Sequence, residues 1–438
     1  MDTNLPHRIQ KMRNAFLKIK PSISIDRAIA TTEVYKQYGN IPTIELRAQA
    51  LFRACETIPL HIGMHELIVG RPAGKPRAGV FCPEIAWRWL AREIDTVSSR
   101  PQDPYDIDDK DKKILKKEIF PFWEGRSVEE VFFSKVENIG ILPLLYESGV
   151  LDADVKASSG AGEFSPGFRD IVFKKGFQGI KRDARKKLER LSFLNHEDHE
   201  KIYFLRAVET TCDGVMLLAR RYADLAVEMA RAESDRKRKI ELESISEICR
   251  RVPANPPDSF HEALQTIWMV QVALFLEENA PSLSPGRIDQ YLWPYYQKDM
   301  QKGRLTGEEA EELMYCFLLK FNEIPWLLNE FAAMYYAGYM AFQNVVVGGQ
   351  TRDGSDATNE LSFMVLACSK NLRLYQPSLA ARVHSQSRPE YLAKIVDVIK
   401  AGIGFPAIHF DDVTIKMLLS LGVNLEDARD YCIAGCVE

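Results

Sequence analysis

The chain has 438 residues, 46% hydrophobic and 27% charged, with a formal net charge of −4. That supplies apolar material for one large or two ordinary cores, and the near-balanced charge excludes nucleic acid and anionic membrane as main partners. No signal-peptide layout follows Met1-Asp2-Thr3-Asn4 and no run of about 18 apolar residues offers a membrane span, so a cytoplasmic protein is expected. The eight cysteines are scattered, without a CxxC pair or a Cys/His cluster of zinc spacing, so neither disulfides nor a structural metal is expected.

Residues 8–36 carry helical periodicity, with a second helix start at Ser24-Ile25-Asp26, and Glu45 to Glu56 reads as an amphipathic helix. The β-branched run from Pro59 to Arg71, ending at Gly70, predicts a short strand, with His61 and His65 as structural histidines. Residues 75–84 form a Pro/Gly loop, and Tyr105 to Glu118 reads as a charged, solvated helix. The loop from Ser158 to Phe168 has glycines suited to a phosphate at a helix start, yet it lacks the Gly-Lys-Ser/Thr ending of a P-loop.

Basic runs at Lys174-Lys175 and Lys181 to Lys187 lack interleaved aromatics and have acidic neighbours, so they read as helix surface. Ala207 to Glu233 is one long helix with an apolar stripe. After the break at Pro253 to Pro257, Asp258-Ser259 caps a helix from 260 to 276 that is apolar on two sides and therefore buried. His261-Glu262 lacks the second histidine of a zinc protease. The polar phrase from Glu277 to Tyr291 lies between apolar helices, so it must be hydrogen-bonded inside the fold or line a pocket, with Arg287 and Asp289 expected to pair.

A helix from Thr306 to Phe321 leads to alternating elements. These are strand 342–349, helix 358–371, strand 377–384, helix 389–401, strand 402–410 and helix 413–421, the βαβ order of a parallel sheet wrapped by helices. The last eleven residues, Ala428 to Glu438, end in Gly435-Cys436-Val437-Glu438. In an extended segment Cys436 and Glu438 point the same way and address one small cavity, a thiol that exchanges a hydrogen atom beside a carboxylate that takes a proton. A buried, inert cysteine and a solvated glutamate is the competing reading.

Gly435-Cys436-Val437-Glu438, preceded by Leu425 to Tyr431, resembles the thiyl-cysteine loop of the glycyl radical enzymes, the superfamily of pyruvate formate-lyase. The Gly-Cys-Val-Glu form is similar to the eliminating branch, which includes glycerol and propanediol dehydratases, choline trimethylamine-lyase and hydroxyproline dehydratase. Ile25-Asp26-Arg27-Ala28 and Glu66 to Gly70 resemble the helical layer of the same family. The resemblance implies an α/β glycyl radical enzyme barrel of parallel five-stranded half-barrels wrapped by helices. Residues 1–438 would be its N-terminal part, stopping at the cysteine loop, with the glycine radical domain absent and the fragment alone inactive.

The implied activity is C–O or C–N lyase chemistry of the dehydratase type on a small hydroxylated substrate, with Cys436 as thiyl and Glu438 as base. The implied substrate-binding residues are Ser282, with Ser284 in reserve, Phe342 as an aromatic wall, and Glu163 where relatives carry a histidine. An acidic Glu163 favours a cationic or polyhydroxy substrate; a solvent-facing Glu163 is the equal alternative. His409 departs from an asparagine of the family pattern.

No tightly bound cofactor is implied, since a partner enzyme using S-adenosylmethionine and an iron–sulfur cluster installs the glycyl radical, and an anaerobic homodimer is expected. Competing functions are an arylacetate decarboxylase of the same family, a formate acetyltransferase, which would need a cysteine at Gly435, and a non-enzymatic scaffold.

Overall fold

The computed structural model describes residues 5–136, 140, 141, 144, 145, 148, 150, 160 and 162–435. The N-terminal layer runs α1 (His7–Lys18), β1 (Ser22–Ser24), α2 (Asp26–Tyr38), α3 (Thr43–Thr57) and β2 (Ala78–Val80), with β1 and β2 parallel. A satellite core of Phe81, Trp89, Tyr105, Leu115 and Trp123 lies beneath it. Leu115 is buried, so the charged segment with its solvated face also carries an inward one.

The strand expected over 59–71 does not form. Both backbone groups of Val69 are taken by one buried side chain: its N–H donates to Gln265 Oε1 (2.9 Å), and its carbonyl accepts from Gln265 Nε2 (2.7 Å). A segment satisfied in this way has no need of a partner strand. A buried tetrad fixes the same segment, with Arg71 bonded to Glu66 (2.6 Å) and Glu323 (2.8 Å), and Lys320 to both acids.

The middle of the chain contains β3 (Glu163–Phe164), α4 (Phe173–Leu188), α5 (His199–Ala232), α6 (Arg236–Arg251), α7 (Phe260–Glu277) and β4 (Ser282–Leu283). The long helix expected from Ala207 starts two turns earlier, at His199. Ser259 caps α7 by accepting from the Glu262 N–H (3.2 Å), and α7 runs through the main core, burying Trp268, Ile267, Phe275 and Leu276. Each such side chain contributes roughly 1.5–3 kcal/mol by leaving water.

The C-terminal third is α8 (Gly307–Lys320), β5 (Asn344–Gly348), α9 (Glu360–Leu372), β6 (Ser378–Val383), α10 (Pro389–Ile399), β7 (Ala407–Phe410), α11 (Asp411–Ser420) and α12 (Leu425–Arg429). Strands β5, β6 and β7 form a parallel sheet in that order, as the βαβ pattern predicts. Side chains alternate across it. Val345, Val347, Leu379 and Ala381 join the main core, whereas Val346 and Ala380 face the terminal loop and pack on Ile433. On β7, Ile408 and Phe410 are 40% and 58% exposed, so among the described residues this strand is the sheet's open edge.

Candidate active site

The polar phrase after α7 is buried, as its position between apolar helices demands, with Ser282, Ser284, Arg287 and Asp289 all inside the fold. β4 pairs in parallel with β3, setting Glu163 opposite Ser282 and Phe164 opposite Leu283. Ser282 Oγ lies 3.4 Å from Ser284 Oγ, and both hydroxyls donate to the Phe342 carbonyl, at 3.4 and 3.3 Å. The Phe342 ring meets Trp326 (6.0 Å) and Tyr336 (6.3 Å) edge to face, and its backbone adopts a left-handed φ of 38°, a conformation bulky residues rarely take. Three of the expected substrate-binding residues are thus adjacent. Ser282 is buried, Phe342 half-buried, and Glu163 exposed.

The glycines of the loop, which lack the rest of a phosphate-binding pattern, have another role. A Cβ at Gly160 would stand 2.9 Å from Glu278 Oε2, and one at Gly162 would stand 2.1 Å from Glu278 Oε1. The glycines admit a carboxylate against the loop, and a carboxylate there repels a phosphate.

Cys436 and Glu438 lie outside the described residues, which end at Gly435. Gly435 is gripped on both sides: its N–H donates to Ser284 Oγ (3.2 Å), and its carbonyl accepts from Asn344 Nδ2 (3.1 Å). Ser284 Oγ also accepts from the Asn344 N–H (2.9 Å), so one hydroxyl just after β4 joins β5 and the terminal loop. Asn344 Oδ1 is buried without a hydrogen-bond partner among the described residues.

Upstream, the loop is held by charge. Arg382, fully buried, donates two bonds to the fully buried Asp411 (2.8 and 2.9 Å), and reaches the carbonyls of Tyr431 (2.6 Å) and Arg429 (2.8 Å). Its guanidinium stacks 3.8 Å from the Tyr431 ring centre, and the Tyr431 hydroxyl donates to Asp411 (2.9 Å). Burial, opposed by the Arg382 charge, pushes that phenol up to about 12.

Asp430 accepts from Arg287 (2.8 Å) and Arg352 (3.0 Å) and also from Arg169. Burial raises its carboxyl, but the hydrogen bond from Arg169 and the charges of Arg287 and Arg169 outweigh that and hold it below the usual range. The pairing expected between Arg287 and Asp289 is therefore corrected. Arg287 bonds Asp430, while Asp289 accepts from the Gly348 N–H (2.7 Å) and the Ser362 hydroxyl (2.6 Å).

Asn344, Arg382, Asp411 and Asp430 were not singled out from the sequence as site residues. A charged residue inside the apolar Ser378–Val383 strand was the available signal, because a buried arginine requires a buried acid. His409 pairs with Arg382 across β6 and β7. Its Nε2 is buried without a partner among the described residues, and burial with the Arg382 charge pulls the ring below its usual range. Among the described residues, no three His, Cys, Asp or Glu side chains are grouped to hold a metal, and no helix is long and apolar enough to cross a membrane.

The loop that ends the described residues thus packs through Ile433 on Val346 and Ala380 of the parallel sheet and reaches Ser284, the neighbour of Ser282. The chain belongs to the pyruvate formate lyase-like family, whose model matches residues 2–438. It is 34% identical to the isethionate sulfite-lyase of Nitratidesulfovibrio vulgaris over 443 residues, covering 98% of this chain and 53% of that protein. The structure describing 1,2-propanediol dehydration in Roseburia inulinivorans superposes with a TM-score of 0.96 at 35% identity, covering 100% of this chain and 55% of that one. The glycerol-bound B12-independent glycerol dehydratase of Clostridium butyricum gives 0.92 at 35% identity, covering 99% and 54%. The chain spans about half the length of the curated relatives it matches.

Proposed function

We propose that this chain is the substrate-binding and thiyl-bearing part of a glycyl radical lyase that eliminates a leaving group from a small hydroxylated substrate. The observation that carries the reading is the double grip on Gly435, which fixes the peptide entering Cys436 against the same Ser284 that neighbours Ser282 and Phe342. The relatives' named substrates, isethionate, 1,2-propanediol and glycerol, share a carbon bearing a hydroxyl.

The glycyl radical of the complete enzyme supplies one-electron chemistry by taking the hydrogen atom of the Cys436 thiol. Cys436 sulfur then abstracts hydrogen from the hydroxyl-bearing carbon, and Glu438 accepts the hydroxyl proton. The resulting ketyl expels the neighbouring group, and the thiol returns its hydrogen to the product radical. Ser282 holds the substrate hydroxyls, Phe342 walls the pocket against water, and Glu163 at the mouth discriminates by charge.

The rest of the reading follows from the same family. A second half-barrel covers the open β7 edge, where Ile408 and Phe410 are exposed. An activating enzyme using S-adenosylmethionine and an iron–sulfur cluster installs the radical, and the enzyme works as an anaerobic, cytoplasmic homodimer.

The test is anaerobic activation of the complete enzyme, followed by turnover on propane-1,2-diol, glycerol, isethionate and choline. Cys436→Ser is expected to abolish turnover while the glycyl radical signal persists in electron paramagnetic resonance. Turnover by that variant would refute the assignment, and a full radical signal with no elimination from any hydroxylated substrate would favour the scaffold.

A further inference from the structure

Helices α4, α5 and α6 enclose a groove of about 500 Å³, and none of its lining residues belongs to the site above. α4 contributes Lys181, Arg182 and Arg185, α5 contributes Arg220 and Asp213, and α6 contributes Arg250. The basic run that reads as ordinary helix surface in sequence is thus gathered by the fold against two further arginines. Five cationic side chains face one carboxylate.

Neighbouring acids account for three of the five. Lys181 pairs with Asp213 (2.6 Å), Arg185 with Glu209 (2.9 Å) and Arg250 with Asp224 (2.8 Å). Arg182 and Arg220 have no ion pair among the described residues, although both line the groove. Two guanidiniums turned to one cavity repel each other unless an anion lies between them.

The end of the groove is built by the backbone. α4 is kinked at Gly176 (φ 60°), where a Cβ would stand 2.4 Å from the Ala254 carbonyl, a position that requires glycine. The kink lets Phe177 N–H donate to the Pro253 carbonyl (2.9 Å) and Gln178 N–H to that of Ala254 (3.0 Å), fixing the 253–255 loop as a wall. Among the described residues no aromatic side chain lines the groove, so the aromatic stacking platform of a single-strand-binding surface is missing there.

We propose that this groove binds a small polyanion carrying two or more phosphate groups, of the size range from pyrophosphate to a sugar bisphosphate, with Arg182 and Arg220 as its principal ligands. Guanidinium forks match phosphate oxygens two at a time, which lysine or a neutral donor does not. The site is independent of the lyase reading and stands or falls separately from it.

The experiment is isothermal titration of the complete enzyme with inorganic pyrophosphate at low and moderate salt. One-to-one binding in the micromolar range is expected, weakening with salt. Arg182→Ala and Arg220→Ala should each lower the affinity about tenfold, and Lys239→Ala, exposed on α6 outside the groove, should leave it unchanged. Both arginines are exposed, so an unaltered melting temperature is expected to accompany the loss. The proposal is overturned by the absence of saturable binding up to millimolar pyrophosphate, by wild-type affinity in both arginine variants, or by equal affinity for citrate. Tighter binding of a single-stranded oligonucleotide than of pyrophosphate would likewise overturn it, in favour of a nucleic-acid surface.

Discussion

Two segments approach the stretch from Ser282 to Ser284, and they are held by opposite means. The terminal loop is fastened by buried charge: Arg382 with Asp411, three arginines on Asp430, and the grip of Ser284 and Asn344 on Gly435. The glycine loop is held by a two-residue pairing of β3 with β4 and by close approach to Glu278, and its Glu163 and Phe164 are exposed. A buried, multiply bonded segment keeps its atoms to fractions of an ångström, whereas an exposed one tolerates substitution. On the proposed function, the fixed segment is the one that leads to the thiol, and the exposed one is the one that would select the substrate.

The largest effect should come from Arg382→Ala. It leaves Asp411 buried without its partner and frees the carbonyls of Arg429 and Tyr431, so a loss of about 3–5 kcal/mol is expected in urea denaturation. A loss below about 1 kcal/mol would mean the loop is held by packing instead.

Asn344→Ala releases the Gly435 carbonyl and lets the following cysteine drift. In the activated complete enzyme, kcat should fall about 100-fold at an unchanged radical yield. A change confined to KM would reassign Asn344 to substrate binding.

On the other segment, Gly162→Ala pushes a methyl into Glu278 and should cost about 1 kcal/mol, largely recovered in the double variant with Glu278→Ala. Additivity of the two changes in thermal denaturation would break the link between glycine and carboxylate.

Acid separates the segments by titration. Because the Asp430 carboxyl is depressed in the fold, its stabilising contribution is complete above the unfolded-chain value near about 4 and is lost as pH falls through the lower folded value. Protection of the loop amides in hydrogen exchange should therefore decline below about pH 4, and Asp430→Asn should abolish that dependence. Glu163→Gln is expected to be the mildest change, within about 0.5 kcal/mol in stability, and visible as an altered preference between cationic and neutral substrates. An equal preference would place Glu163 outside recognition.

Much of the frame is legible without coordinates. The strands at 344–348 and 378–383 announce themselves as apolar runs between helices of 3.6-residue period, and Ser259 marks the start of α7. The run over 59–71 misleads because Gln265, 196 residues away from Val69, supplies what a neighbouring strand would have supplied. Arg287 and Asp289 mislead for a related reason. Nearness in sequence suggests a pair, yet Asp430 reaches Arg287 across 143 residues.

The sequence by itself determined the order of elements, the burial of the polar phrase after α7 and the family to which the last residues belong, because periodicity, capping and a short chemical motif are local. The tertiary structure alone decided which arginine meets which acid, that Ser284 and Asn344 grip Gly435, and that the basic face of α4 meets Arg220 and Arg250 in one groove. Charges and hydrogen bonds act over a few ångströms of space, and distance along the chain does not encode that separation.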